Sequence, residues 1–296
     1  MQVAIAGGSG FLGRELTRAL EQQGHRVVVL TRRPRPGQAT DVAWTPNGEI
    51  GPWVASLGNV DAFVNLAGEG IADHRWTAAR KRALVESRLA TTGSLAKAVA
   101  ALPTPPRVFV SASGVGIYGP CGDERVTEHA PAGHDFLGRL ATAWEAATAP
   151  AAGHTRIVLL RTGLVMGREG ALAKMLLPFR LGVGGRLGSG RQWMPWIGVD
   201  DWVGLTLHLL NDDRATGPFN LSAPEPVTNA EFTRVLGRVL GRPTVFPVPA
   251  IALRLALGEL ADALLTGQRA VPDKALALGY TFRSPDLATT LRAAIA

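Results

Sequence analysis

The sequence is short of several residue types, and each shortage closes off a class of function. One cysteine, Cys121, among 296 residues excludes an intrachain disulfide and a cysteine-built zinc site, and the thiol is read as inert. The six histidines (His25, His74, His129, His134, His154 and His208) never fall four apart on a helical pattern, so no metal centre is expected. No stretch approaches the roughly 20 consecutive apolar residues of a membrane span. The chain opens on a strand-like run, Met1–Ile5, without a basic leader, so a cytoplasmic protein with no membrane partner is expected. Only four lysines occur (Lys81, Lys97, Lys174 and Lys274), and the formal charge of +7 is therefore almost all arginine. The arginines are scattered, without a run of like charge or a stripe interleaved with aromatics. They read as solvated surface, and no nucleic-acid partner is expected.

What is present is a core. The chain is 46% hydrophobic, and short β-like runs alternate with longer amphipathic segments. Strands are expected at Val3–Ala6, Val27–Thr31, Ala62–Leu66, Val108–Ser111 and Ile157–Arg161, with helices over Phe11–Gln23, Ala79–Ala101 and Phe136–Ala147. That spacing is of βαβ units and implies an α/β fold, a Rossmann-type doubly wound parallel sheet. Pro46-Asn47-Gly48 predicts a small hairpin within Asp41–Gly51. Beyond Arg161 the pattern loosens: a glycine-rich loop at 182–190, a helix over Asp200–Leu210 and strands near Phe219–Leu221 and Val245–Pro247. Helices at Asn229–Leu240, Ile251–Leu265 and Asp286–Ile295 follow. We divide the chain into a dinucleotide-binding domain, residues 1–165 with 199–222 returning to it, and a smaller, mostly helical substrate lobe, 166–198 with 223–296.

The sharpest local signal is Gly7-Gly8-Ser9-Gly10-Phe11-Leu12-Gly13, between the first strand and the first helix. Gly7 permits the tight turn, Gly10 lets a pyrophosphate approach the backbone, and Gly13 lets helix and strand pack closely. Helix-start N–H groups then hold the anion. An NAD site normally carries an acid at the end of the second strand. Here that end reads Thr31-Arg32-Arg33, whose guanidinium groups suit a 2′-phosphate. The expected cofactor is NADP(H).

Three further stretches fix a resemblance: Asn65-Leu66-Ala67-Gly68, Ser111-Ala112-Ser113-Gly114-Val115-Gly116-Ile117-Tyr118-Gly119 and Arg161-Thr162-Gly163-Leu164-Val165-Met166-Gly167. With Trp196-Ile197-Gly198-Val199-Asp200-Asp201 and Gly217-Pro218-Phe219-Asn220-Leu221, the chain resembles the extended, epimerase-like branch of the short-chain dehydrogenase/reductase superfamily. The nearest likeness is to an atypical NAD-dependent epimerase subgroup, called YfcH-like or sulA-like, over nearly the whole length. The resemblance implies NADP(H) contacts from Gly7 to Gly13, Thr31, Arg32, Arg33, Leu66, Ala67, Gly68, Ser111 and Arg161. It also makes a homodimer conceivable, since dimers through a helix pair are common in the superfamily.

The resemblance fails at one point. Extended members carry a Tyr and, four residues on, a Lys that lowers its pKa. This chain has two tyrosines, followed four residues later by Gly122 and Ser284, and Leu137 and Ala141 stand where the pair belongs. Ser113 takes the serine position, either polarising a substrate oxygen or capping local backbone. Tyr118 either supplies the acid or packs against the ribose. Arg191, Trp193, Met194 and Trp196 either contact substrate or bury the lobe interface. Asp73, His74 and Arg75 line the cleft or form a solvated loop, and Asp200-Asp201 is expected to cap its own helix. Two readings follow: an oxidoreductase or epimerase acting on a small-molecule substrate, or a non-catalytic NADP(H)-dependent sensor or interaction protein, for example in cell division.

Overall fold

The computed structural model describes residues 1–284 and 286–296. Its centre is a seven-stranded sheet. Five strands come first in the chain: β1 (Gln2–Ala6), β2 (Arg26–Thr31), β3 (Asp41–Ala43), β4 (Ala62–Asn65) and β5 (Val108–Gly114). The strands Arg156–Thr162 and Gly217–Leu221 complete it. Across the sheet the order is Gly217–Leu221, Arg156–Thr162, β5, β4, β1, β2, β3, and every pairing is parallel. A parallel strand must be covered on both faces, and Val3, Ala4, Ile5 and Ala6 are all fully buried. The order reverses between β1 and β4. In such sheets the crevice at the carboxyl ends on either side of the reversal is where ligands bind.

Two helical layers close the faces. On one, α1 (Phe11–Gln22) and α5 (Val199–Asn211) bury Leu16, Leu20, Trp202 and Leu205 against Val3, Ile5 and Val158. On the other, α2 (Ala78–Ala101) lays Leu95, Ala98 and Val99 over Ala4, Phe63 and Phe109. Next to it, α3 (Phe136–Ala146) starts at Asp135, whose carboxylate caps Gly138 N at 2.8 Å. The lobe beyond centres on Trp196, enclosed by α4 (Ala171–Arg180), α6 (Asn229–Leu240) and, at the chain's end, Leu287–Ile295. Among the described residues no helix is long and apolar enough to cross a membrane.

Several expectations needed correction. The 41–51 stretch is not a hairpin: Asp41–Ala43 pairs in parallel with Val29–Thr31 at the sheet edge, and a 3-10 turn over Pro52–Ser56 follows. Val245–Pro247 forms no strand, although the adjacent Val248 bridges to Leu187. The helix expected over Ile251–Leu265 is broken by Gly258, φ +62°, into α7 (Ala250–Leu257) and α8 (Leu260–Leu265). The helix α4 was not anticipated, because Pro178 lies inside it. Asp201 does not cap α5. Its buried carboxylate accepts Arg283 N at 2.8 Å, Ser284 N at 3.1 Å and the Tyr280 hydroxyl at 3.1 Å, clasping the C-terminal segment instead.

Candidate active site

The turn from β1 into α1 is built from contacts that only glycine allows. Gly7 has φ +80°, and a Cβ there would meet the Leu66 carbonyl carbon at 2.7 Å and Ala67 N at 2.8 Å. A Cβ at Gly13 would stand 2.6 Å from Gly8 Cα, with the Gly7 carbonyl oxygen closer still. Gly10 N donates to Gly7 O at 3.0 Å, while Ser9 and Gly10 face solvent. Helix α1 has no side-chain cap and no acid in its first turn, which leaves its leading N–H groups to an anion. The second lobe reaches this turn directly: Phe11 packs on Gly167 and Gly170, and Arg14 pairs with Glu169 at 2.6 Å.

At the end of β2, Arg33 N donates to Thr31 Oγ1 at 3.2 Å. Arg32 and Arg33 are exposed and make no ion pair among the described residues. The nearby acid is already engaged: Asp41 binds Arg35 at 2.7 and 2.9 Å, and that guanidinium holds the carboxyl below its usual range. At the end of β4 the Asn65 side chain, fully buried, donates to Thr92 Oγ1 at 2.9 Å and accepts from Ala67 N at 3.2 Å. This fixes the Leu66–Gly68 strip against Gly7. Ser111 lies beside Asn65 in register, and its buried hydroxyl has no partner among the described residues.

Behind β5 runs a buried polar network, most of which the sequence did not announce. Ser113 Oγ donates to Glu145 Oε1 at 2.6 Å. Glu145 receives Arg161 through two bonds of 2.9 Å, and Arg161 Nη1 donates to the Tyr118 hydroxyl at 3.0 Å and Glu128 O at 3.1 Å. The Tyr118 hydroxyl donates to Asn220 Oδ1 at 2.6 Å, and Glu128 accepts Asn220 N at 3.0 Å. Burial pushes the Tyr118 phenol up to about 12, against the opposing pull of Arg161. The hydroxyls of Ser113 and Tyr118 are thus brought together through one Glu–Arg pair. Leu137 packs on Gly116, and Ala141 is buried among Val115, Ile117 and Tyr118.

The 191–196 run is divided between surface and core. Arg191 is exposed, and Trp193 is half-buried, donating to Asp123 at 2.8 Å beneath the Arg269 guanidinium. Met194 and Trp196 point into the lobe; Trp196 is 1% exposed and donates to Glu225 O at 3.1 Å. Asp73, in the loop after β4, pairs with Lys174 of α4 at 2.5 Å. A residue unforeseen in the sequence is Arg88 on α2, buried against the Trp144 ring with its guanidinium on Leu84 O and Glu69 O. Desolvation lowers it to about 10. Among the described residues no cluster of three or more His, Cys, Asp or Glu is placed to hold a metal.

The model of the NAD dependent epimerase/dehydratase family matches residues 3–222. The chain belongs to that family. A domain of unknown function matches residues 248–294 of the same epimerase/dehydratase chain. The human epimerase family protein SDR39U1 is 40% identical over 301 residues, all of each chain. The Mycobacterium tuberculosis epimerase family protein MT2273 is 43% identical over 95% of this chain and 93% of its own. A crystal structure of the human protein (isoform 2) with NADPH superposes with a TM-score of 0.92 at 39% identity, covering 99% of each chain.

Proposed function

We propose that the chain binds NADP(H) at the β1–α1 turn and acts as an oxidoreductase or epimerase-type enzyme on a small molecule. The observation that carries this reading is the pairing of a glycine cradle with two arginines left without acids. The turn fits a dinucleotide because Cβ atoms at Gly7 and Gly13 would collide with neighbouring backbone and force it open, and because the α1 N-terminus is uncapped. The relative crystallised with NADPH supports the choice of cofactor.

In this reading the N–H groups of Gly7 to Gly13 hold the pyrophosphate. Thr31 shapes the turn that presents Arg32 and Arg33 to a 2′-phosphate. Leu66, Ala67, Gly68 and the unpartnered Ser111 hydroxyl border the cofactor. When bound, the nicotinamide supplies or accepts a hydride. Arg161 acts from behind, holding Glu145 and Tyr118 in place. Ser113, with the Glu145 carboxylate 2.6 Å away, is assigned the proton transfer, while Tyr118 remains a neutral donor. On the substrate side, Arg191 and Trp193 are the members of their run that reach the surface, whereas Met194 and Trp196 shape the wall from within.

Calorimetric titration tests the cofactor claim. NADPH is expected to bind more tightly than NADH, and Arg32→Ala with Arg33→Ala together to weaken NADPH by roughly 100-fold or more while sparing NADH, since two charge-assisted bonds of ~1.5–3 kcal/mol each are lost. Equal affinities before and after substitution overturn it. The apolar filling at Leu137 and Ala141 favours a second reading, a sensor whose affinity for a partner changes with bound NADPH. Steady turnover of any carbonyl substrate excludes that reading.

A further inference from the structure

Exposed apolar side chains are concentrated in one part of the molecule. Among the described residues, ten large hydrophobic side chains stand out to solvent, and eight of them fall between residues 177 and 264. On α4, Leu177 and Leu181 share a stripe with Lys174, at spacings of three and four. Lys174 crosses to Asp73 and Ala72 O, so this stripe faces the loop that leaves β4. On α7, which buries none of its residues, Ile251 and Leu255 share a stripe leading to Gly258. A Cβ at Gly258 would lie 3.3 Å from Arg75 Nη2, in the same loop, and Lys81 pairs with Glu259 at 2.6 Å. The two stripes are joined beneath: Gly185 abuts the Phe246 backbone, Val248 N donates to Arg186 O at 2.8 Å, and Gly188 N donates to Val248 O at 2.9 Å. That loop continues from the Leu66–Gly68 strip packed on Gly7. The loop that both stripes adjoin therefore leads back to the cofactor cradle.

Charge narrows what could cover it. Residues 177–187 and 241–258 contain Arg180, Arg186, Arg242 and Arg254 and no Asp or Glu. All four arginines are exposed, and only Arg254 has an acidic partner among the described residues, Asp262 at 3.0 Å. A second copy would bring four more arginines against these. A nucleotide sugar would leave the stripes wet. Leu255 is 74% exposed and Phe246 67%, more than scattered surface apolars explain.

We propose that this surface is the substrate channel and that it takes an amphiphilic anion, a long apolar chain bearing a carboxylate or phosphate. The chain lies along Leu177, Leu181, Phe246, Ile251 and Leu255, and the anionic group is met by Arg180 or Arg186. The assignment rests on the function proposed above and names its substrate class.

The test titrates dodecanoate, with acetate and UDP-glucose as comparators, into protein first shown to bind NADPH. Dodecanoate is expected to bind at least 100-fold more tightly than either comparator. Phe246→Ser or Leu255→Ser, both at exposed positions, should weaken it about tenfold each, since one apolar side chain is left in water. Arg180→Gln combined with Arg186→Gln should weaken dodecanoate but not decanol. Dodecanoate binding no tighter than acetate, or unaltered by the serine variants, overturns the proposal while leaving the cofactor reading intact. Absence of NADPH binding is the separate failure of that reading. A dimer that Phe246→Ser dissociates, or binding to anionic vesicles without binding of monomeric dodecanoate, also overturns the proposal, giving the surface to a second copy or a lipid bilayer.

Discussion

Glu145 is the test of whether the buried network holds the end of β5. Glu145→Ala removes both Arg161 bonds and the Ser113 bond together. It leaves a guanidinium whose side chain is 10% exposed, with the Tyr118 hydroxyl and the Glu128 carbonyl as its remaining partners. Breaking a buried pair from one side costs about 3–5 kcal/mol, because the survivor is a desolvated charge. For a chain of this size each kcal/mol lowers the melting temperature by about 2–4 °C, so a fall of roughly 6–20 °C is expected. Thermal melts monitored by circular dichroism, backed by urea titration, read it out. Glu145→Leu combined with Arg161→Met should regain most of the loss, since neither charge is then buried alone. A single-variant loss below about 1 kcal/mol, or a double variant equal to the sum of its singles, would refute the argument.

Two more predictions follow from the same geometry. Gly13→Ala forces a Cβ onto the Gly8 backbone at 2.6 Å, so NADPH affinity should fall at least 100-fold in titration, and unchanged affinity would mean the turn is not the cradle. Both tyrosines are held neutral, Tyr118 up to about 12 and Tyr280 also raised, each chiefly by burial. The unfolded phenol ionises near 10.0, so the native state keeps protons that the unfolded state releases, and stability is full below that pH and declines as pH rises toward 12. For Tyr118 the decline is about 3 kcal/mol, and Tyr118→Phe should flatten the alkaline limb of a stability profile.

The sheet was legible because its strands carry uninterrupted apolar runs with helices of the right length between them. The glycine turn was legible because three of its glycines answer to contacts within a few residues or one strand away. The network was not. Tyr118 and Asn220 are 102 positions apart, and Ser113 and Glu145 are 32 apart. No local pattern marks residues that meet only once the Gly217–Leu221 strand has docked beside Arg156–Thr162. Glu145 lies on α3 in an ordinary amphipathic pattern, and nothing in its neighbours announced a buried carboxylate. Beyond Arg161 the reading failed in two opposite ways: at Gly258 glycine breaks a periodic helix, and at Pro178 a helix forms in spite of its proline. Asp201 looked like a cap because a carboxylate in a first turn usually is one. Its partners, Arg283 and Ser284, are more than 80 residues further on.

The last strand of the sheet depends on chain that comes after it. Asn220 Nδ2 and Ser222 Oγ are satisfied by the carbonyls of Val271 and Ala270. Asp201, within α5, is satisfied by the backbone at 283–284. A fragment ending near residue 222 would therefore strand an amide, a hydroxyl and a carboxylate in the interior of what remains. Synthesis must run past residue 284 before the nucleotide-holding half can set, and a cut before residue 270 should loosen the far edge of the sheet.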